Sequence, residues 1–261
     1  MDPRKLSELE PFLRLNELTP KKSLSQNFLI DANVLKKIVK VAEVEKDEHI
    51  LEIGPGPGAL TKTLIESEAF VLAVEIDKNY ASKLSQTISD PKLKVECSDF
   101  LTFEPDTNFK IVANIPYHIS TDIVERIAQL RDFYKAAYLT VQKDFAERIL
   151  CKKPYNAFSL FVELFFDAKL CFTISKDCFY PKPKVPSALL SLITKKTLPV
   201  EDPFELVKFI RFLFKKRRKM IRSILEMPEL GDARPEAMSL EKITELYKFL
   251  KSQNKLPNLE K

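Results

Sequence analysis

The segment Glu52-Ile53-Gly54-Pro55-Gly56-Pro57-Gly58 holds three of the four glycines in a chain of 261 residues, and it follows the apolar pair Ile50-Leu51. A strand that empties into a glycine-rich turn and then a helix lets a ligand approach backbone whose N–H groups are free at the helix start. This reads as a loop for a nucleotide-type cofactor, although a plain strand-to-helix turn would also use glycine. A second motif, Asn114-Ile115-Pro116-Tyr117, follows Ile111-Val112-Ala113. It places an amide, a carbonyl-rich turn and an aromatic ring at the end of a strand, a set that suits a planar amino-bearing base.

Glu75 closes another apolar run, about 20 residues past the glycine loop, where a Rossmann-like fold holds ribose hydroxyls. Asp99, in Ser98-Asp99-Phe100, can accept from an adenine amino group while Phe100 packs on the ring; in isolation the same residue reads as a turn cap. Adenine N6 is a poor nucleophile because its lone pair is delocalised into the ring. If the Asn114 side-chain oxygen and the Ile115 carbonyl accept the two N6 hydrogens, they favour a pyramidal nitrogen whose lone pair can point at an electrophilic methyl, without a strong general base. Tyr117 can stack on the base and Phe179 can cover its other face, each stack being worth about 1–3 kcal/mol. The plainer readings are packing above the sheet for Tyr117 and a core anchor for Phe179. A nicotinamide-dependent dehydrogenase is the competing nucleotide reading, but the loop is G-x-G-x-G, not G-x-G-x-x-G, and no histidine is placed for hydride transfer.

These residues need elements to carry them. Apolar runs at His49–Ile53, Phe70–Glu75, Leu93–Cys97, Lys110–Asn114 and Ala136–Val141 alternate with helical spacing near Leu60–Glu68, Tyr80–Ile88 and Thr121–Gln129. That pattern predicts a parallel sheet covered on both faces, with ligands at the carboxyl ends of its strands. Gly54, Gly56, Glu75, Asp99 and Asn114 all fall at such ends. Asp31 can cap a helix with apolar positions Val34, Leu35, Ile38, Val39 and Ala42. Lys169–Ile174 and Ser187–Thr194 are expected to add a hairpin to the sheet's edge. After a break near Thr197–Pro203 the pattern is helical: Phe204–Phe214, Lys219–Leu225 and Leu240–Leu250. The expected division is an arm over residues 1–23, an α/β domain over 24–200 and a small helical domain over 201–261.

Composition is that of an ordinary globular protein, 45% hydrophobic and 30% charged. No apolar run approaches the roughly 20 residues of a membrane helix, and Met1-Asp2-Pro3-Arg4-Lys5 does not open a signal peptide, so a cytoplasmic location is expected. Four cysteines without a C-x-x-C pair and two histidines, His49 and His118, predict no metal centre. The net charge of +5 is modest, but it is clustered at Lys215-Lys216-Arg217-Arg218-Lys219 with Arg222, at Lys21-Lys22, at Lys152-Lys153 and at Lys182/Lys184. Such clusters suit phosphate contacts, and any one alone reads as a solvated helix end.

Taken together, Ser25-Gln26-Asn27-Phe28-Leu29, the run from Glu52 through Gly58-Ala59-Leu60-Thr61, Asn114-Ile115-Pro116-Tyr117 and Phe179-x-Pro181-x-Pro183-x-Val185-x-Ser187 resemble the ribosomal RNA adenine N6,N6-dimethyltransferases. The resemblance spans residues 21 to about 225. It implies a Rossmann-like S-adenosylmethionine-dependent methyltransferase domain with a small C-terminal all-α domain, and two methyls added to one adenine N6. Carried onto matching positions, Asn27, Leu29, Gly54, Gly56, Glu75, Ile76, Asp99, Phe100 and Asn114 would bind the donor. Asn114 and Tyr117 would hold the base, with Phe179 stacking. Lys21, Lys22, Lys182, Lys184, Arg217, Arg218, Lys219 and Arg222 would contact RNA phosphates, in a protein expected to act as a monomer.

Val141-Gln142-Lys143-x-x-Ala146-x-Arg148 and Phe214-x-x-Arg217-Arg218-Lys219-x-x-Arg222 are similar to the housekeeping branch of that family. That branch implies two adjacent adenines in a hairpin loop near the 3′ end of small-subunit (16S) ribosomal RNA, and a role in subunit biogenesis. Ser25, and Ile115 with Ser120-Thr121-Asp122, read more like the antibiotic-resistance branch, which modifies a large-subunit adenine. Two further alternatives stay open. A ribosome-assembly factor that lost catalysis predicts a decayed donor pocket, yet Glu75, Asp99 and Asn114–Tyr117 are all present. DNA adenine methyltransferases usually carry an acidic Asp-Pro-Pro-Tyr turn, where this chain has the neutral Asn114.

Overall fold

A computed structural model describes residues 1–20 and 26–259 of the chain. In order, the elements are α1 (Leu6–Leu15), β1 (Phe28–Leu29), α2 (Ala32–Val41), β2 (His49–Ile53), α3 (Ala59–Glu66), β3 (Phe70–Glu75) and α4 (Lys78–Thr87). Next come β4 (Leu93–Cys97), β5 (Phe109–Asn114), α5 (Ser120–Gln129), β6 (Tyr134–Gln142), α6 (Lys143–Leu150) and α7 (Ala157–Phe165). The chain continues through β7 (Phe166–Ile174), β8 (Phe179–Tyr180), β9 (Ser187–Thr194), α8 (Pro203–Phe214), α9 (Ile221–Ile224) and α10 (Leu240–Ser252).

Two compact units result, Met1–Ala146 with Lys169–Thr194, and Glu147–Ala168 with Lys195–Lys261. The first is an α/β unit around a sheet of order β4-β3-β2-β5-β6-β9-β7. The five strands from β4 to β6 pair in parallel, and β9 lies antiparallel to β6 with Ser187 opposite Gln142. Continuous apolar strands such as Ile50-Leu51 bury on both faces because helices cover each side. Leu35 and Ile38 of α2, Leu64 of α3 and Leu84 of α4 share one core cluster with Ile50, Ala73, Val112 and Leu189 of the sheet.

Local sequence explains the element starts. Asp31 caps α2, its carboxylate accepting from the amides of Asn33 and Val34. Gly58 precedes α3 with φ of 91°, and a Cβ there would lie 2.4 Å from Leu84 Cδ1, so both conformation and space demand glycine. Strand order also selects a place for a ligand. The chain winds outward from β2 to β3 and β4, then returns to β5 on the other side of β2, so the crevice beyond the carboxyl ends of β2 and β5 is a topological switch point.

The second unit is helical apart from the start of β7. Its α7 is apolar nearly all round, with Leu160, Phe161, Val162, Leu164 and Phe165 buried, and the Phe165 ring packs 5.1 Å from that of Phe204 on α8. Phe209 of α8 meets Tyr247 of α10 at 5.8 Å. The expected boundaries are corrected accordingly. Residues 147–168 lie inside the stretch expected to be α/β, but α7 buries its apolar surface among the C-terminal helices, and the Tyr155 amide donates to the Glu236 carbonyl at 2.9 Å. Residues 1–20 do not form a separate arm; they carry α1, whose Leu9 and Leu13 are buried in the first unit. The helix expected over Lys219–Leu225 is confined to Ile221–Ile224, so Lys215–Lys219 lie in turns. Among the described residues no helix is long and apolar enough to cross a membrane.

Candidate active site

A cavity of about 220 Å³ opens at the switch point of the first unit. Its walls come from the ends of four neighbouring strands: Ile53, Gly54 and Gly56 after β2, Val74, Glu75 and Ile76 at β3, Ser98 to Leu101 after β4, and Asn114 to Pro116 at β5. Gln26, Asn27 and Phe28 close one side, and His118, Ile119 and Ile123 another.

The glycine turn is shaped by what surrounds it. Gly54 donates its amide to the Val74 carbonyl at 2.9 Å, tying the loop to β3. Gly56 has φ of 54°, and a Cβ built on it would lie 2.8 Å from Phe28 Cε1. Its amide donates to Glu75 Oε2 at 3.1 Å, while Glu75 Oε1 accepts from the Asp77 amide at 2.9 Å. Burial pushes the Glu75 carboxyl up from its ordinary range, and the two backbone donors pull the other way. Behind it, the fully buried Glu52 accepts from Thr61 Oγ1 at 2.6 Å. Its carboxyl is pushed up to about 8 by burial, with the nearby Glu75 adding to the rise. Asp99 sits in a turn and accepts from the Leu101 amide at 2.9 Å. Ile76 presents an apolar face that is 57% exposed.

Asn114 is held at the end of β5 by its own amide group, which donates from Nδ2 to the Asn27 carbonyl at 2.9 Å. Its Oδ1 is buried and has no partner among the described residues. An unpaired buried acceptor costs about 1–3 kcal/mol, so this oxygen is set to receive hydrogens from outside the chain. The ring of Tyr117 follows on a 3-10 turn, and its hydroxyl is hydrogen-bonded to Ser187 Oγ at 2.7 Å. Burial pushes that phenol up to about 12, so it stays neutral.

Eight of the residues expected at the donor site thus meet in one cavity: Asn27, Gly54, Gly56, Glu75, Ile76, Asp99, Phe100 and Asn114. Three others do not face it. Leu29 is buried in the main core, because successive strand residues point to opposite sides and Phe28 takes the cavity side. Phe179, read from the sequence as either a stacking face for the base or a core anchor, is 4% exposed and belongs to the same core, paired across the β1/β8 ladder with Leu29. Tyr117 is half-buried beside the cavity, not in its wall. Phe28 and His118 were not singled out from the sequence as site residues. The place of Phe28 next to Asn27 in the Ser25–Leu29 motif and the position of His118 directly after the Asn114–Tyr117 turn are the signals that point to them.

Lys182 is exposed and paired with Asp177, and Lys184 is exposed on the same loop of the first unit. In the second unit Arg217, Arg218, Lys219 and Arg222 are all exposed, with Arg222 Nε 2.9 Å from Asp232 and Arg217 Nε 3.9 Å from Glu236. Lys21, Lys22 and Ser25 lie outside the described residues.

Against known proteins, the family model for ribosomal RNA adenine dimethylase matches residues 18–255. The chain is 36% identical to the ribosomal RNA small subunit methyltransferase A of Protochlamydia amoebophila, over 96% of this chain and 98% of that one. It is 42% identical to the protein of the same name from Mycoplasmopsis pulmonis, over 79% and 83%. Among solved structures, a dimethyladenosine transferase from Plasmodium falciparum shares the fold with a TM-score of 0.76 at 24% identity, covering 85% of this chain and 96% of the other. The 23S rRNA methyltransferase ErmE superposes with a TM-score of 0.70 at 25% identity, covering 86% and 99%.

Proposed function

The chain belongs to the ribosomal RNA adenine dimethylase family, and on that premise we propose that it dimethylates N6 of two adjacent adenines in a hairpin loop near the 3′ end of small-subunit ribosomal RNA. In this reading the modification accompanies small-subunit assembly. The observation that carries it is the buried, unpartnered Oδ1 of Asn114 at the rim of a cavity built from four strand ends. The choice of the small subunit is supported by the names of the relatives that the chain matches over most of its length.

The cavity suits S-adenosylmethionine on this chain's own features. A glycine cradle that a single Cβ would fill lies beside the carboxylates of Glu75 and Asp99 and the exposed apolar face of Ile76. Glu75 would take the ribose hydroxyls, Asp99 the amino group of the donor's adenine, and Ile76 with Phe100 the faces of that ring. When bound, S-adenosylmethionine supplies an electrophilic methyl. The remaining roles fall to this chain's own residues.

Asn114 Oδ1 and the Ile115 carbonyl accept the two N6 hydrogens of the target base, which localises the nitrogen lone pair and holds it toward the donor side. The Asn114 Nδ2 bond to Asn27 fixes the amide so that the oxygen, not the nitrogen, faces the base. Tyr117, locked by Ser187, stacks on the ring, and its high pKa keeps it from competing as an anion. No strong general base is required, because the proton is lost from an already positive nitrogen after methylation. Phe179, buried here, would reach the base only if β8 moved, so its stacking role belongs to the RNA-bound state. Exposed Lys182, Lys184, Arg217, Arg218, Lys219 and Arg222 supply phosphate contacts that position the RNA, while the extruded adenine specifies it.

The test is transfer of labelled methyl from S-adenosylmethionine to ribosomal particles lacking the modification, followed by mapping of dimethyladenine. Label in the small-subunit 3′ hairpin is the expected result. Label in large-subunit RNA would move the protein to the resistance branch. RNA binding without label would make it an assembly factor.

A further inference from the structure

Leu9 and Leu13 of α1, with Leu18, are buried in a small hydrophobic cluster separate from the main core, and the other two members of that cluster are Phe28 and Tyr80. Phe28 is the residue that closes the cavity against Gly56. Its ring lies 5.5 Å from that of Tyr80, tilted at 57°. Tyr80 stands in the first turn of α4, which follows the strand end whose Glu75 and Ile76 also line the cavity. The N-terminal segment is also fastened at its other end. Arg4 grips Glu66 of α3 with two contacts, at 2.5 and 2.8 Å, and Asp2 lies 3.6 Å from Lys62 of the same helix.

The segment therefore ties together α3, which follows the glycine turn, α4, which follows the acidic turn, and the aromatic ring pressed between them. It does so without any residue of 1–20 lining the cavity. We propose that residues 2–18 are a brace that sets donor affinity from behind the pocket, and that Tyr80 is a positioning residue acting through Phe28. The inference rests on the donor reading above. The physical argument is one of support: the Phe28 ring is 2.8 Å from the space a Gly56 side chain would need, so a ring free to tilt would change the shape of the cavity, and the fully buried part of that small cluster is made by Leu9, Leu13, Leu18 and Tyr80, with Phe12, Ile30 and Tyr180 packed partly buried around it. The Tyr80 hydroxyl is buried without a partner among the described residues, so what the site uses is the ring.

The experiment is calorimetric titration of S-adenosylmethionine into the full chain and its variants, alongside kcat at saturating donor. Leu13→Ala and Tyr80→Ala are expected to raise the donor Kd at least tenfold while kcat at saturation changes less than twofold. Tyr80→Phe keeps the Kd within twofold. Leu192→Ala, a cut in the buried end of β9 away from the cavity, is expected to lower Tm comparably and leave the Kd unchanged. If Leu13→Ala does not fold, Leu13→Val carries the same comparison, with an expected threefold rise. A folded Leu13→Ala or Leu13→Val protein with the unaltered Kd overturns the brace, as does an equal loss of affinity in Leu192→Ala. Absence of any binding by the unaltered chain is a separate result: it overturns the donor reading, and this inference with it.

Discussion

Gly56 and Glu75 are joined by a hydrogen bond of 3.1 Å between the loop amide and a buried carboxylate oxygen, across 19 residues of sequence. This bond makes the glycine turn and the acidic strand end one rigid object. The turn cannot shift without unpairing a carboxylate that burial already disfavours in its charged form.

Gly56→Ala puts a methyl where Phe28 now stands and forces a left-handed backbone on a residue that resists it. Such a conformation costs of order 1–3 kcal/mol in the folded state. The variant is expected to lose measurable donor binding in calorimetry while retaining the circular dichroism of the fold. Binding at the unaltered affinity would show that the cavity is not where the donor sits.

Asn114→Ala removes the unpaired acceptor. Loss of one preorganised electrostatic contact costs about 10²–10³ in kcat. Single-turnover methyl transfer should fall by that factor, while donor Kd rises only a few fold from loss of the bond to Asn27. Unchanged turnover would remove Asn114 from the mechanism.

Glu52 gives the fold a pH dependence of definite sign. Its carboxyl is at about 8 in the folded protein, against an ordinary 4.5, so between those values the folded state holds a proton that the unfolded state has released. Stability from this group is full below pH 4.5 and declines as pH rises toward 8. Glu52→Gln mimics the neutral form and should flatten the fall in Tm between pH 5 and pH 8, measured by scanning calorimetry. A slope identical to that of the unaltered chain would mean that Glu52 is ionised in place.

The exposed basic residues of the helical unit predict a salt signature. Each phosphate contact to single-stranded RNA adds about 0.7 to the slope of log K against log salt. Arg218→Ala should reduce that slope by about one contact. Arg222→Ala should reduce it less, because Arg222 is already engaged by Asp232 at 2.9 Å and must exchange one partner for another. Filter binding to a small-subunit hairpin across a salt series measures both, and equal slopes for all three proteins would take these residues off the RNA interface.

The strands and the residues at their ends were legible because the signals are local. Phe70–Glu75 is an uninterrupted apolar run with a carboxylate at its end, and the structure gives the strand those same bounds. Asn114 closes β5 for the same reason. What proved illegible depended on partners far along the chain. An aromatic before a proline turn reads equally as a stacking face or a core anchor, and only the pairing of Phe179 with Leu29 puts its ring in the core. Phe28 and Leu29 form a strand of two residues, too short to show the alternation that sends one side chain to the cavity and the other inward. Leu9 and Leu13 stand four residues apart, one helical turn, but the Phe28 and Tyr80 rings that they cover lie far along the chain.

By itself, then, the sequence determined the alternating strands and helices from β2 to β6, the glycine turn, the acidic and amide residues at the strand ends, and the family to which those motifs belong. These follow from periodicity and from conformations that few residue types can adopt. The tertiary structure alone decided that α7 joins the C-terminal helices, that α1 packs against Phe28 beside the cavity, and that burial raises the pKa of the Glu52 carboxyl. Each of those depends on which surfaces meet once the chain has closed. Burial and the charges brought near by folding are not properties of any segment taken singly.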